Sequence, residues 1–210
     1  MKKVLICDFD GVITSYTQSR ALAEELGVVG DYDKLVASSS AESFKSRAKV
    51  LLDHNLNKTH FDRLIERMPI EEGTAELFEA AKRNGFYCVI ASYGYDYLIN
   101  KVVKKFAVDE VITAFSVAFD KYGNVTDLKL RSEWAPRLNL DCDELCKCQL
   151  VEFYKQRGTV VAVDDFYLCP LQHADYGIQF VRNYSPKSDM PKVKNMYELI
   201  DMLKSIEARR

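Results

Sequence analysis

Five short runs of β-branched and aliphatic residues, Lys3 to Asp8, Phe86 to Ala91, Val108 to Thr113, Thr159 to Val163 and Gly177 to Val181, alternate with segments of helical period. Runs this uniformly apolar suit strands buried on both faces. Their alternation with helices predicts a mostly parallel sheet flanked by helices and joined by right-handed crossovers. The chain therefore reads as α/β, with a Rossmann-like core. Helix signals support this: in Thr74 to Asn84, residues Leu77, Phe78 and Ala81 share one face, and Asn84-Gly85 suits a C-terminal cap. A second helix is expected from about Tyr95 to Phe106, after Ser92-Tyr93-Gly94. A last one is expected over Met196 to Ile206, with Met196, Leu199, Ile200 and Leu203 on one face. Val117 to Leu130, around Asp120-Lys121-Tyr122-Gly123-Asn124, reads as a β-hairpin with a Gly-containing turn.

The alternation breaks between Gln18 and Met68, which shows no strand and offers three amphipathic helical stretches. Phe44, Ala48, Leu51 and Leu52 line one stripe of the second; Phe61, Leu64, Ile65 and Met68 line one of the third. This region reads as an inserted helical lobe. Residues 1-14 and 70-210 are then assigned to the core and 15-69 to the insert.

Composition narrows the function. The 210 residues are 48% hydrophobic, enough for one core with an insertion. With 29 Lys+Arg against 31 Asp+Glu, the formal charge is -2, so no global positive field favours nucleic acid or an anionic membrane as a partner. No apolar stretch approaches the roughly 20 residues of a membrane span, and the run after Met1-Lys2-Lys3 is broken by Asp8. Neither a span nor a signal peptide is expected. Six cysteines, Cys7, Cys88, Cys142, Cys146, Cys148 and Cys169, are read as reduced thiols, which makes a cytoplasmic location the expectation. The Cys142/Cys146/Cys148 spacing is not a standard zinc pattern, so a structural zinc ranks below plain thiols.

The chemistry gathers at strand ends. Val4-Leu5-Ile6-Cys7 runs into Asp8-Phe9-Asp10-Gly11, and Thr159 to Val163 runs into Asp164-Asp165. Ligands of α/β sheets bind at such carboxyl ends. If the two strands are neighbours, up to four carboxylates converge, an arrangement that is costly unless it binds a cation, and hard oxygen ligands suit Mg²⁺. Solvated strand-end acids are the alternative. Ser92, with the backbone N–H groups after it, can cradle a phosphoryl oxygen, or it can simply cap a helix. Lys147, near the start of a helical run where the dipole disfavours cations, faces either an anion or water.

In order, Asp8-Phe9-Asp10-Gly11-Val12-Ile13-Thr14, Ser92 after a strand, Lys147, and Asp164-Asp165 after a strand resemble the four motifs of the haloacid dehalogenase superfamily. The resemblance spans essentially the whole chain and is similar to phosphoserine-phosphatase-like enzymes with a small helical cap. It implies a Mg²⁺-dependent phosphatase for a small phosphomonoester, in which Asp8 takes the phosphoryl group as an aspartyl phosphate and Asp10 acts as acid and base. Ser92 and Lys147 then hold the phosphoryl oxygens. Asp8, Asp10 through its main-chain carbonyl, and Asp164 with Asp165 beside it hold the metal. Gly11, Tyr93 and Gly94 are implied to line the phosphate site, and Arg47 answers to the family's cap arginine. The family's amine-reading Glu is replaced by Thr17, so phosphoserine is not implied. A phospho-accepting regulatory domain, a catalytically silent binding module, and a phosphotransferase or mutase using the same intermediate are the other readings.

Overall fold

The computed structural model describes residues 3–35, 41–130 and 147–208. Seven strands form one sheet: β1 (Lys3–Cys7), β2 (Phe86–Tyr95), β3 (Glu110–Phe119), β4 (Val125–Leu130), β5 (Thr159–Asp164), β6 (Tyr176–Phe180) and β7 (Lys192–Val193). Their spatial order is β4-β3-β2-β1-β5-β6-β7. Every neighbouring pair is parallel except β3 with β4, which is antiparallel. β1 lies between β2 and β5, with Cys7 opposite both Ile90 and Val163. Burial on both faces explains its unbroken apolar run, since Val4, Leu5, Ile6 and Cys7 are all buried. The chain reaches β2 on one side of β1 and β5 on the other, so a crevice opens at the carboxyl end of β1.

Among the described residues, four helices occupy the stretch from Gln18 to Met68: α1 (Gln18–Glu25), α2 (Val29–Asp33), α3 (Ala41–Asp53) and α4 (Lys58–Arg67). Three helical stretches were expected there; the additional one is the single-turn α2, which buries Tyr32. α4 starts with a capping box, in which the Asn57 side chain accepts from Thr59 N at 3.0 Å and His60 Nδ1 accepts from Asn57 N at 3.1 Å. The remaining helices are α5 (Thr74–Arg83), α6 (Asp96–Val103), α7 (Lys147–Lys155), α8 (Leu168–His173) and α9 (Met196–Ala208). Leu22, Leu51, Phe61 and Leu64 of the early helices join the strand residues in one continuous buried cluster. Among the described residues, no helix is long and apolar enough to cross a membrane.

Three local expectations change. β2 continues through Ser92-Tyr93-Gly94 to Tyr95, with a register irregularity against β3 between Ser92 and Tyr95, so the following helix starts at Asp96. The strand expected to end at Thr113 and the first arm of the hairpin are one strand, β3, because pairing with β2 on one edge and β4 on the other carries it through. The expectation of reduced thiols also needs correction. Cys148 on α7 and Cys169 on α8 form a disulfide across two packed helices, with a Cα–Cα distance of 5.9 Å, inside the range such a bond requires. Cys148 is thereby unavailable as a zinc ligand. Cys7 and Cys88 are free and buried, and Cys142 and Cys146 lie outside the described residues.

Candidate active site

The end of β1 delivers Asp8 into the crevice, and its backbone N–H continues the sheet ladder by donating to Val163 O at 2.9 Å. β5 ends one residue away in Asp164, followed by Asp165. Asp8, Asp164 and Asp165 are all buried, and one oxygen from each lies within 4.8 Å of the other two. Lys147, at the start of α7 and only 4% exposed, reaches Asp8 Oδ2 at 2.6 Å and Asp164 Oδ2 at 2.8 Å. The anion facing this lysine is therefore a carboxylate pair. Its Nζ also lies 5.2 Å from the ring centroids of Tyr93 and Tyr167. Backbone donors fix the acids: Asp8 Oδ1 accepts from Phe9 N at 2.7 Å, and Asp164 Oδ1 accepts from Phe166 N at 3.0 Å and Tyr167 N at 2.7 Å.

The carboxyl group of Asp10 is not in that cluster. It turns toward α1, where Oδ2 accepts from Gln18 N at 3.0 Å and Oδ1 from Gln18 Nε2 at 2.8 Å. Four convergent carboxylates are thus reduced to three plus one set apart. Burial pushes Asp10 up to about 7, against the Gln18 hydrogen bonds that favour its ionised form. Burial likewise holds Asp8 well above the usual carboxylate range, where Lys147 pulls it down and Asp164 pushes it up. Asp165 rises to about 6 through burial and the neighbouring Asp164. Burial alone would lower Lys147, but Asp164 and Asp8 outweigh it and keep the ammonium charged.

This donor set suits a hard divalent cation. Fully ionised, three buried carboxylates against one ammonium would leave two negative charges in a buried site, which raises the acids in the absence of a cation, and oxygen is the donor Mg²⁺ prefers.

A cavity of about 290 Å³ opens in front of the acids. Asp8, Asp10, Ser92, Tyr93, Gly94 and Asp165 line its head, and Thr17, Ser19, Phe44 and Arg47 close it from the helices between β1 and β2. Of the candidates from the sequence, Lys147 and Asp164 do not line the cavity but pair with each other beside Asp8, and Gly11 does not line it but packs directly against Asp165; the others line it. Ser92 is buried, and its hydroxyl accepts from Gly94 N at 3.0 Å. Arg47 lies over the Phe44 ring at 4.4 Å, Phe44 stacks on Tyr93 at 5.0 Å, and Tyr93 meets Tyr167 at 5.0 Å. An aromatic wall therefore runs from α3 to Lys147.

Three participants escaped the sequence reading. Gln18 holds Asp10. The Tyr184 hydroxyl hydrogen-bonds Asp165. Arg182 Nε donates to Gly11 O at 2.7 Å while its Nη2 pairs with Glu71 at 2.6 Å. Gln18 has a local signal in retrospect, being a polar residue where the first helix begins; Arg182 and Tyr184 have none, lying far along the chain from what they touch.

No family model matches the chain. It is 24% identical to a 2-hydroxy-3-keto-5-methylthiopentenyl-1-phosphate phosphatase of Exiguobacterium sibiricum, covering 97% of both chains. It is 25% identical to a phosphoserine phosphatase of Methanocaldococcus jannaschii over 51% of this chain and 53% of that protein. Its fold is that of the phosphoserine phosphatases: the T. onnurineus enzyme superposes with a TM-score of 0.74 at 21% identity, over 97% of this chain and 95% of that one. A phosphoserine phosphatase solved as a phospho-aspartyl intermediate analogue superposes with a TM-score of 0.71 at 21% identity, over 97% and 98%.

Proposed function

We propose that this chain is a Mg²⁺-dependent phosphatase of the haloacid dehalogenase superfamily, hydrolysing a small phosphomonoester through an aspartyl phosphate on Asp8. The observation that carries the reading is Lys147 bridging Asp8 and Asp164 at the head of a cavity, with Asp165 inside the same cluster. A relative that bears the phosphatase name along nearly the whole chain, and another over about half of it, support the reading.

In the first step an Asp8 oxygen attacks phosphorus, the ester P–O bond breaks, and Asp10 gives its proton to the departing oxygen, releasing the alcohol. In the second, Asp10 takes a proton from water as that water attacks the aspartyl phosphate, which frees inorganic phosphate and restores Asp8. An Asp10 held near neutrality by burial is suited to both halves. Ser92 and Lys147 hold the phosphoryl oxygens. Asp8, the Asp10 carbonyl and Asp164 would hold the ion, with Asp165 beside it; bound Mg²⁺ supplies shielding between the phosphate charge and the nucleophile. Residues 15-69 act as a cap, and because Thr17, Ser19, Phe44 and Arg47 close the cavity, a small substrate is favoured over a phosphoprotein.

The test is hydrolysis of p-nitrophenyl phosphate with and without Mg²⁺. Metal-dependent turnover that Asp8→Asn abolishes is expected. A stable phosphoprotein without turnover would mark a regulatory domain, no reaction a silent module, and delivery of phosphate to an added alcohol in place of water a phosphotransferase.

A further inference from the structure

We propose that Gln18 is a positioning residue that aims the Asp10 carboxyl group at the leaving oxygen. The proposal rests on the phosphatase reading and adds to it a residue outside the four motifs. Gln18 is fully buried, and every hydrogen bond it makes here bears on one geometry. Its backbone N–H and its side-chain Nε2 donate to the two oxygens of Asp10, at 3.0 and 2.8 Å. Its Oε1 accepts from Tyr95 N at 3.3 Å, at the last residue of β2. The two donors reach both carboxyl oxygens of Asp10, which fixes the plane of that group and leaves each oxygen a lone pair that can carry the transferred proton. Through Tyr95 the amide is in turn anchored to the strand that carries Ser92. The acid is thereby referenced to the same strand as the phosphate-holding hydroxyl.

Gly94 belongs to this device. A Cβ there would lie 2.7 Å from Cδ and 2.8 Å from Oε1 of Gln18. The absence of a side chain at position 94 is what lets the amide reach both partners. Asp10 also takes up the first free N–H of α1, a helix whose N-cap residue Thr17 makes no side-chain cap bond. The entry to the helices between β1 and β2 is thus fastened to the acid itself.

A merely structural tie and a positioning role differ in which substrates suffer. Proton delivery matters little when the leaving group is a stable phenolate and much when it is basic. The experiment compares kcat/KM with Mg²⁺ for p-nitrophenyl phosphate and phenyl phosphate in the wild type, Gln18→Met, which keeps the shape without the donors, and Gln18→Asn, which keeps the amide but draws it back from Asp10 by one methylene. We expect Gln18→Met to lose about tenfold or more on phenyl phosphate and less than about threefold on p-nitrophenyl phosphate, the size of a weakened general acid. Gln18→Asn should show the same skew, and it carries the test if Gln18→Met does not fold. In an Asp10→Ala background Gln18→Met should cost nothing further. Equal losses on the two esters, or none, would overturn the proposal while Asp8-dependent turnover left the phosphatase reading standing. Turnover that survives Asp8→Asn would instead bring down that reading.

Discussion

Gly11→Ala probes how tightly the second acidic strand end is packed against the first. Gly11 has φ +78°, and a side chain in this left-handed region costs roughly 1–2 kcal/mol. The larger effect is steric: its Cβ would sit 2.5 Å or less from Cγ and both oxygens of Asp165. Ordinary non-bonded contact is about 3.5 Å, so Asp165 must retreat by about 1 Å. It has little room to do so, being buried beside Asp8 and Asp164 and hydrogen-bonded to Tyr184. The loop cannot yield easily either, because Arg182 holds Gly11 O. Losing a buried hydrogen bond adds roughly 1–3 kcal/mol, for a total of about 2–5 kcal/mol. At about 2–4 °C per kcal/mol for a chain of this length, the midpoint should fall by roughly 4–20 °C. Scanning calorimetry on the wild type, Gly11→Ala, Asp165→Ala and the double variant separates the two parts. With the Asp165 carboxyl group gone, only the backbone cost of about 1–2 kcal/mol should remain. Effects of the two substitutions that add to within about 0.5 kcal/mol would refute the packing argument.

Lys147→Met should destabilise the chain by about 3–5 kcal/mol in urea melts without divalent cation, because it strands buried carboxylates, and Mg²⁺ should restore part of that loss; a melt insensitive to Mg²⁺ in the variant would count against the shared charge balance. Opening the Cys148–Cys169 bond, whose partners are 21 residues apart, should cost about 3 kcal/mol and lower the melting point by roughly 6–12 °C, read by comparing the oxidised wild type with Cys148→Ser. Identical melting would mean the bond contributes nothing. His60 accepts the Asn57 N–H through Nδ1 only when neutral, and burial lowers its proton affinity. The folded chain therefore binds fewer protons than the unfolded one, so this contribution is present above about pH 6.5 and is lost as pH falls through that value and below. His60→Gln keeps the capping box without a titrating ring. It should therefore lose about 0.5–1 kcal/mol less than the wild type between pH 7 and pH 5, and parallel pH curves would exclude the cap as the cause.

The features readable from sequence were those with a local physical signature. β1 and β5 announce themselves as apolar runs ending in acids because a strand buried on both faces admits nothing else until it leaves the sheet. Lys147 stood out for a charge misplaced on its helix, and its partners explain the misplacement. Where the outcome depended on pairing between distant segments, the local signals pointed elsewhere. Ser92-Tyr93-Gly94 has turn chemistry, yet β3 pairs alongside and keeps β2 extended to Tyr95. Cys148 and Cys169 carry no spacing that marks them as partners; only the packing of α7 on α8 brings them together. Arg182 is invisible for the same reason, since its contact with Gly11 O spans a separation of 171 residues.

These distant contacts share a direction: each restrains the acidic cluster from a side the motifs leave open. Arg182 holds the loop after Asp10, Tyr184 holds Asp165, and Gln18 turns Asp10 away from the other acids. That separation has an electrostatic reason. A fourth carboxylate inside the 4.8 Å group would add another like charge where, among the described residues, Lys147 alone bridges Asp8 and Asp164. Kept outside and half-buried, Asp10 is instead pushed up to about 7 by burial, which suits the acid and base of the proposed mechanism. The division of the site into a buried trio with a lysine and a separate fourth acid thus follows from which side chains reach each acid, and the motif spacing alone does not contain it.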